Sequence, residues 1–417
     1  MVMGDGHDVT IETGGGHDRV EIRVDPSTDE RVVVVNGVGT RYPPGANIIV
    51  RTGDGNDEVI VDPGTRMRVT LFGGPGDDVL RGGDGDDVIQ GEAGNDRLHG
   101  GDGNDRISGG VGRDYIDAGA GDDTVTGGRG NDTVYGLSGD DRISGGGGND
   151  YLEGGTGDDA IEGGHGNDTI SGGRGADTMF GGPADDRLYA GAGHDTVDGG
   201  GGVDTAYAEA EDAGRAERVV TVELRAVGAF ITIEGSPEFV ERVRCDLDML
   251  RASPRGQALL AALDAGARRS RSRLAGVPVL GRLVNQGDTL TILEYVSASR
   301  EEDNSYAHRD VERIRRGRQM VVEYQTDLDH VHEGPPITVL YHELAHVYDY
   351  VHGTTAGGTH TGPDNPGADN AERVALGLPI DHDNDRSTPD QLDPRHPYDY
   401  TENALREEMG NRPAPHY

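Results

Sequence analysis

One apolar position in every nine organises the first half of the chain. Between residues 73 and 207 it is filled by Leu80, Ile89 and Leu98, and so on to Leu188, Val197 and Ala206, always two residues after an aspartate and otherwise among glycines and polar residues. Fifteen consecutive units, with no insertion, follow Gly-Gly-x-Gly-x-Asp-x-U-x, where U is the apolar residue. A strict internal repeat settles architecture more firmly than local propensity does, and this one predicts a parallel solenoid with two units to a turn. Each U side chain points into a thin core between short strands. The fifteen units then make a roll ~36 Å long at the ~4.8 Å spacing of neighbouring strands.

The flanks are patterned differently. Residues 1–72 hold isolated copies of the unit, Gly4-Asp-Gly-His-Asp, Gly14-Gly-Gly-His-Asp and Gly53-Asp-Gly-Asn-Asp, with β-rich inserts such as Val32-Val-Val-Val between them. They are expected to form the first, irregular coils. After residue 207 glycine thins out and helical spacing appears. Residues 209–216 read as a linker or cap, and 219–224 with 229–233 as a short β pair. A helix is predicted near 237–250, and Ser253-Pro254, an N-cap followed by proline at the first helical position, begins a second one through 263. Strands are predicted at 289–296 and 320–324. The cluster Arg268, Arg269, Arg271 and Arg273 reads as a solvated loop or a partner for acidic surface. Further on, Ile337, Leu340, Leu344, Val347 and Val351 fall on one stripe at about 100° per residue, with Pro335-Pro336 to start the helix and Gly353 to stop it. The chain thus divides into irregular coils (1–72), a parallel β-roll (73–207) and an α+β domain (208–417).

Composition reinforces this division. Hydrophobic residues make up 33% of the 417, and 70 residues are glycine, which is too little apolar matter for one globule. A net charge of −38 calls for neutralisation, so divalent cations are the expected partners and nucleic acid is not. All 38 basic residues are arginine. The lone Cys245 rules out an intramolecular disulfide and a cysteine-based zinc site. No charged n-region with an apolar h-region opens the sequence, and no apolar run approaches the ~18 residues of a membrane span. A secreted, extracellular protein without a cleaved N-terminal signal peptide is expected.

The repeat carries its own chemistry. Its sixth position is aspartate in every unit: Asp78, Asp87, Asp96, Asp105, Asp114, Asp123, Asp132, Asp141, Asp150, Asp159, Asp168, Asp177, Asp186, Asp195 and Asp204. Glycine turns bring carbonyl oxygens inward and each aspartate adds a carboxylate, an oxygen-rich set that suits calcium. Residues 73–207 contain 28 acidic residues against 8 arginines, a charge of −20 that structural Ca2+ would offset. A disordered glycine-rich linker would carry neither the invariant aspartate nor the apolar residue two positions on. These residues resemble the RTX nonapeptide repeats of bacterial secreted proteins, and the resemblance implies a calcium-bound β-roll that folds when calcium binds.

The second chemistry lies in His342-Glu343-Leu344-Ala345-His346. On a helix, histidines four residues apart share a face and can hold one zinc ion, with Glu343 placed to act as general base on a water. His342 and His346 fall opposite the apolar stripe. A third ligand is required, and Glu372, 26 residues after His346 on what reads as a second short helix, is preferred. His352 has the spacing of the long metzincin motif, but Asp349 stands where that motif has glycine, which leaves His352 about 100° round the helix. Asp349 is better placed to orient a histidine than to bind zinc. Tyr398, Tyr400, Arg406 and Tyr417 are candidate oxyanion donors, and Glu402 with Arg406 reads equally as a surface ion pair.

Three blocks in order carry a second resemblance: Tyr341-His-Glu-Leu-Ala-His-Val-Tyr-Asp, Ala371-Glu-Arg-Val-Ala-Leu-Gly-Leu-Pro, and Thr401-Glu-Asn-Ala-Leu-Arg-Glu-Glu-Met-Gly before a terminal Arg-Pro-x-x-x-Tyr. Over roughly residues 215–417 the chain resembles NleD-type effector zinc metallopeptidases. The resemblance implies a zincin-like domain with one catalytic Zn2+ on His342 and His346, Glu343 as base, and an acidic ligand at Glu372. A multi-domain, monomeric metalloendopeptidase, an effector or toxin acting on protein or peptide substrates, is the leading expectation. A calcium-dependent adhesin with an inactive zincin-like domain is the alternative from another class, and a zinc amidase a third.

Overall fold

The nine-residue period closes into a two-walled parallel solenoid. The structure, a computed structural model, describes residues 2–3, 8–224, 226–228, 231–274, 290–294, 320–324, 337–338, 340–341, 344–345 and 401–409. Its chain divides into two compact units, Met1–Glu223 and Leu224–Tyr417.

In the first unit successive repeats alternate between two sheets, of 12 and 13 strands among the described residues. A repeat therefore pairs with the next but one: Ile89 lies beside Ile107 in one sheet and Leu98 beside Ile116 in the other. The U residues are the core. Leu80, Ile89, Leu98, Leu152 and Leu188 are fully buried, in a continuous cluster from Val9 to Ala208. Such a core is only one side chain thick per strand, so much of the fold's cohesion has to come from the turns.

The irregular first coils belong to the same solenoid. Asp8–Gly15 pairs in parallel with Asn47–Asp54, and Arg19–Val24 with Glu58–Val61. Partners there are 39 residues apart, then 21 in the next coil, before the separation settles at 18. The excess in the first coil is an antiparallel hairpin, Arg31–Val35 with Val38–Tyr42, on the edge of the 13-stranded sheet. Asn36 and Gly37 turn it with φ of 49° and 81°, the left-handed pair that a two-residue hairpin loop favours.

At the other end the roll continues beyond the repeats. Ala213–Arg215 adds to Thr196–Gly201, and Arg218–Thr221 to Thr205–Ala208. This corrects the expected β pair of 219–224 with 229–233: the first strand belongs to the roll, while Ile231–Glu234 pairs in parallel with Leu290–Glu294. Valines 219 and 220 satisfy strand propensity in either place, and stacking on the open end of an existing sheet decides between them.

The second unit, in its described part, has a three-stranded parallel sheet, Ile231–Glu234, Leu290–Glu294 and Met320–Tyr324 in that order. Helix α1 (Pro237–Ala252) starts as predicted: Ser236 accepts the Phe239 N–H at 3.1 Å with proline at the first turn. Helix α2 spans Pro254–Leu274, eleven residues past the expected end at 263. Arg268, Arg269, Arg271 and Arg273 are therefore helical and not in a loop, as the helix propensity of alanine and arginine in 264–274 favours. The α1–α2 corner is tight: a Cβ on Gly256 would overlap the Leu250 carbonyl. The expected α+β zincin-like fold extends over residues outside the described ones.

Candidate metal sites

Each turn of the roll arranges its aspartate in the same way. One carboxylate oxygen, Oδ1, accepts the backbone N–H of the aspartate one coil earlier: Asp78 donates to Asp96 at 2.8 Å, Asp96 to Asp114 at 2.9 Å, and Asp87 to Asp105 at 2.7 Å. Two continuous columns result, one for each edge of the roll. All fifteen repeat aspartates are buried, from Asp87 and Asp114 at 0% exposure to Asp150 at 3%. In every one the other oxygen, Oδ2, is buried and meets no hydrogen-bond donor.

Glycine makes room for this arrangement. A Cβ at the first repeat position would strike the orphaned oxygen, as at Gly127, where it would come within 2.6 Å of Asp132 Oδ2 and 2.7 Å of the Gly145 carbonyl oxygen. At the fourth position carbonyls point along the roll into the next coil: a Cβ on Gly94 would overlap the Gly76 carbonyl, and one on Gly112 the Gly94 carbonyl. The lining is thus anionic and carbonyl oxygen without donors, which suits a hard, oxygen-seeking cation such as calcium. Protons are the competing counter-charge. Desolvation, the main cause, opposed by the backbone hydrogen bond and supplemented by neighbouring aspartates, raises Asp87, Asp123 and Asp141 to about 8. Asp105, Asp114 and Asp168 rise to about 6, again through desolvation.

The columns outrun the repeats, which sequence reasoning missed. One ends where Asp204 N–H donates to Glu217 Oε2 (3.0 Å), the other where Asp195 N–H donates to Asp212 Oδ1 (3.2 Å). Upstream, Asp57 and Asp18 continue the first column, with Asp57 N–H on Asp78 Oδ1 and Asp18 N–H on Asp57 Oδ1, both 2.7 Å. The signal was present in Gly14-Gly-Gly-His-Asp and Gly53-Asp-Gly-Asn-Asp.

In the second unit, Ile337, Thr338, Leu340, Tyr341, Leu344 and Ala345 are helical and fully buried. Tyr341 donates its hydroxyl to the Arg255 carbonyl at the start of α2 (3.2 Å). The helix Glu402–Glu408 reaches the same corner: Glu408 accepts from Ser253 Oγ at 2.6 Å and from Arg255 N–H at 3.1 Å. Ser253 Oγ in turn accepts the Gly256 N–H at 2.9 Å, the N-cap bond predicted from Ser253-Pro254. His342, Glu343, His346, Asp349, His352, Glu372, Tyr398, Tyr400 and Tyr417 lie outside the described residues. Arg406 is described and is 1% exposed, so it is not a surface residue, while the Glu402 side chain lies outside the described ones.

A calcium-type repeat roll joined to a separate α/β-containing unit defines a two-module protein, and family comparison agrees with both halves. Seven overlapping stretches between residues 72 and 206 match the RTX calcium-binding nonapeptide repeat. Residues 227–417 match Peptidase M91, described as an effector protein. The chain carries RTX calcium-binding repeats and an NleD-type effector peptidase domain. No curated protein matches it.

Proposed function

We propose that the chain is a secreted zinc metalloendopeptidase of the effector type, whose catalytic unit travels with a calcium-folded roll. The observation that carries this reading is the effector-peptidase match over residues 227–417 with His342-Glu343-Leu344-Ala345-His346 inside it. The burial pattern supports it. On a helix of ~100° per residue the described residues of 337–345 fill an arc of roughly 160°, and positions 342, 343 and 346 all fall in the remainder.

Imidazole nitrogen and carboxylate oxygen are the donor types of catalytic zinc, so His342, His346 and Glu372 fit the metal, with His352 the less suitable third ligand and Asp349 a partner that orients a histidine. Bound zinc would supply Lewis acidity toward the scissile carbonyl. Glu343 takes the proton of the attacking water and delivers it to the leaving amine. Arg406, already buried beside the motif blocks in sequence, is the favoured donor to the developing oxyanion.

Purified protein is expected to hold one zinc per chain. Glu343→Gln should keep that zinc and lose peptide cleavage by ~10³-fold or more, whereas His342→Ala should lose both. Zinc retained in full by Glu372→Ala but lost in His352→Ala would reverse the choice of third ligand. Cleavage by Glu343→Gln near the wild-type rate would remove the base assignment. Failure of wild type to hold zinc or cut any peptide of a broad library would favour the adhesin reading.

A further inference from the structure

The column of buried carboxylates does not begin where the repeats begin, and its first two members have the repeat's geometry without its sequence. Asp57 is 2% exposed, and its Oδ2, like that of Asp18, is buried and meets no donor. Both lie in turns whose glycines stack as in the strict repeats. A Cβ on Gly55 would overlap the Gly16 carbonyl, and one on Gly76 the Gly55 carbonyl, although these coils differ in length by many residues.

The far end of the column is closed by the inserted hairpin. With no earlier coil available, Asn36 Nδ2 donates to Asp18 Oδ1 at 2.6 Å, and Asn36 Oδ1 accepts the Arg19 N–H at 2.9 Å. The opposite column has no such extension, because Val69 occupies the equivalent position and donates its N–H to Asp87 Oδ1.

We propose that Asp18 and Asp57 are calcium ligands, so that one edge of the roll carries two cation-binding coils ahead of the residues matching the repeat family. The inference rests on the calcium-binding reading of the repeats. One difference predicts weaker sites. Thr13 and Thr52 replace the glycine of the first position, and their hydroxyls donate to the Thr52 and Gly73 carbonyls at 2.7 Å each, engaging oxygens that remain available in the strict repeats.

Asp57→Asn in the full chain provides the test. The amide oxygen can still accept the Asp18 N–H, while the orphaned anionic oxygen becomes a neutral NH2. Bound calcium is counted by elemental analysis after desalting, and hydrogen exchange is followed by mass spectrometry in calcium and in chelator. The variant should bind at least one calcium fewer per chain. Peptides from 8–24 and 47–61 should lose their calcium-induced protection, while those from 124–174 keep theirs. In chelator the variant's first coils should be as protected as wild type or more so, because a buried charge has gone. Unchanged stoichiometry with unchanged calcium-induced protection would overturn the proposal, as would first coils less protected than wild type in chelator, which would mark a purely structural role. Wild type binding no calcium anywhere would instead defeat the calcium reading of the whole roll.

Discussion

Glycine in this roll has two jobs that a single substitution can separate. At the fourth repeat position Gly112 has φ of 136° and its missing Cβ leaves space for the Gly94 carbonyl, so Gly112→Ala meets both backbone strain and overlap with main chain. At the third position Gly147 has no positive φ, and the nearest atom to an added Cβ is His165 Cβ at 4.0 Å. In calcium-saturated urea unfolding, Gly112→Ala should cost about 2–4 kcal/mol and Gly147→Ala stay within about 0.5 kcal/mol of wild type. Ala184 tests the same argument in reverse. It holds the fourth position at φ 96°, where an L side chain is strained, and Ala184→Gly should raise the unfolding free energy by about 0.5–1 kcal/mol after glycine's own entropy is counted. Equal effects at 112 and 147 would show that glycine content, and not position, matters. These roles were legible because fifteen units average out accident. Asp57 and Asp18 were harder to read: threonine replaces their first glycine, and pairing partners 21 and 39 residues away hide the period that makes them equivalent.

At the scale of elements, local signals were sound where the chain decides alone and failed where a neighbour decides. Ser236-Pro237 and Ser253-Pro254 start helices through bonds within one turn, and both starts were legible. The strand at Arg218–Thr221 depends on an open sheet edge, so pattern alone gave it the wrong partner, and the hairpin at Asn36-Gly37 went unassigned within the β-rich insert. The α1–α2 corner adds a contact from far along the chain. Glu408 is the acceptor for Ser253 Oγ and Arg255 N–H, and its carboxylate sits at the N-terminal end of α2, where a negative charge is favoured. Glu408→Ala should leave those two donors unmatched and lower the stability of the second unit by about 1–3 kcal/mol. The check is thermal unfolding with calcium and zinc held saturating; an unchanged transition would mean that Ser253 and Arg255 find water instead. Of the apolar stripe read in the motif helix, the described members Ile337, Leu340 and Leu344 are all buried. Glu372 and His352, the two alternatives for a third ligand, lie outside the described residues.

For the whole molecule, the decisive quantity is how its acidic charge is balanced at a given pH. The net charge is −38, and the folded roll buries carboxylates whose pKa rises to between about 6 and about 8, against the ordinary 3.8. A raised carboxylate pKa means that the folded state binds protons which the unfolded state has released. Without calcium, stability is therefore greatest near or below pH 4 for these groups and falls as pH rises through 6 to 8. Net charge modulates the effect without reversing its sign over that window, since acidification also reduces self-repulsion between the remaining carboxylates. Calcium takes the place of those protons, and the same oxygens cannot serve both. In chelator, strand circular dichroism should accordingly strengthen as pH is lowered from 8 to 5. In a calcium titration the folding midpoint should move to lower calcium as pH falls from 8 to 6, because protons then already stabilise part of the fold that calcium stabilises at pH 8. Zinc content of the second unit, measured alongside, should stay at one per chain while the roll melts in a calcium-selective chelator. Strand signal in chelator that is no stronger at pH 5 than at pH 8 would sink the reading of protons and calcium as alternative counter-charges for the orphaned Oδ2 atoms, because a carboxylate buried without a cation has to take up its proton in this window.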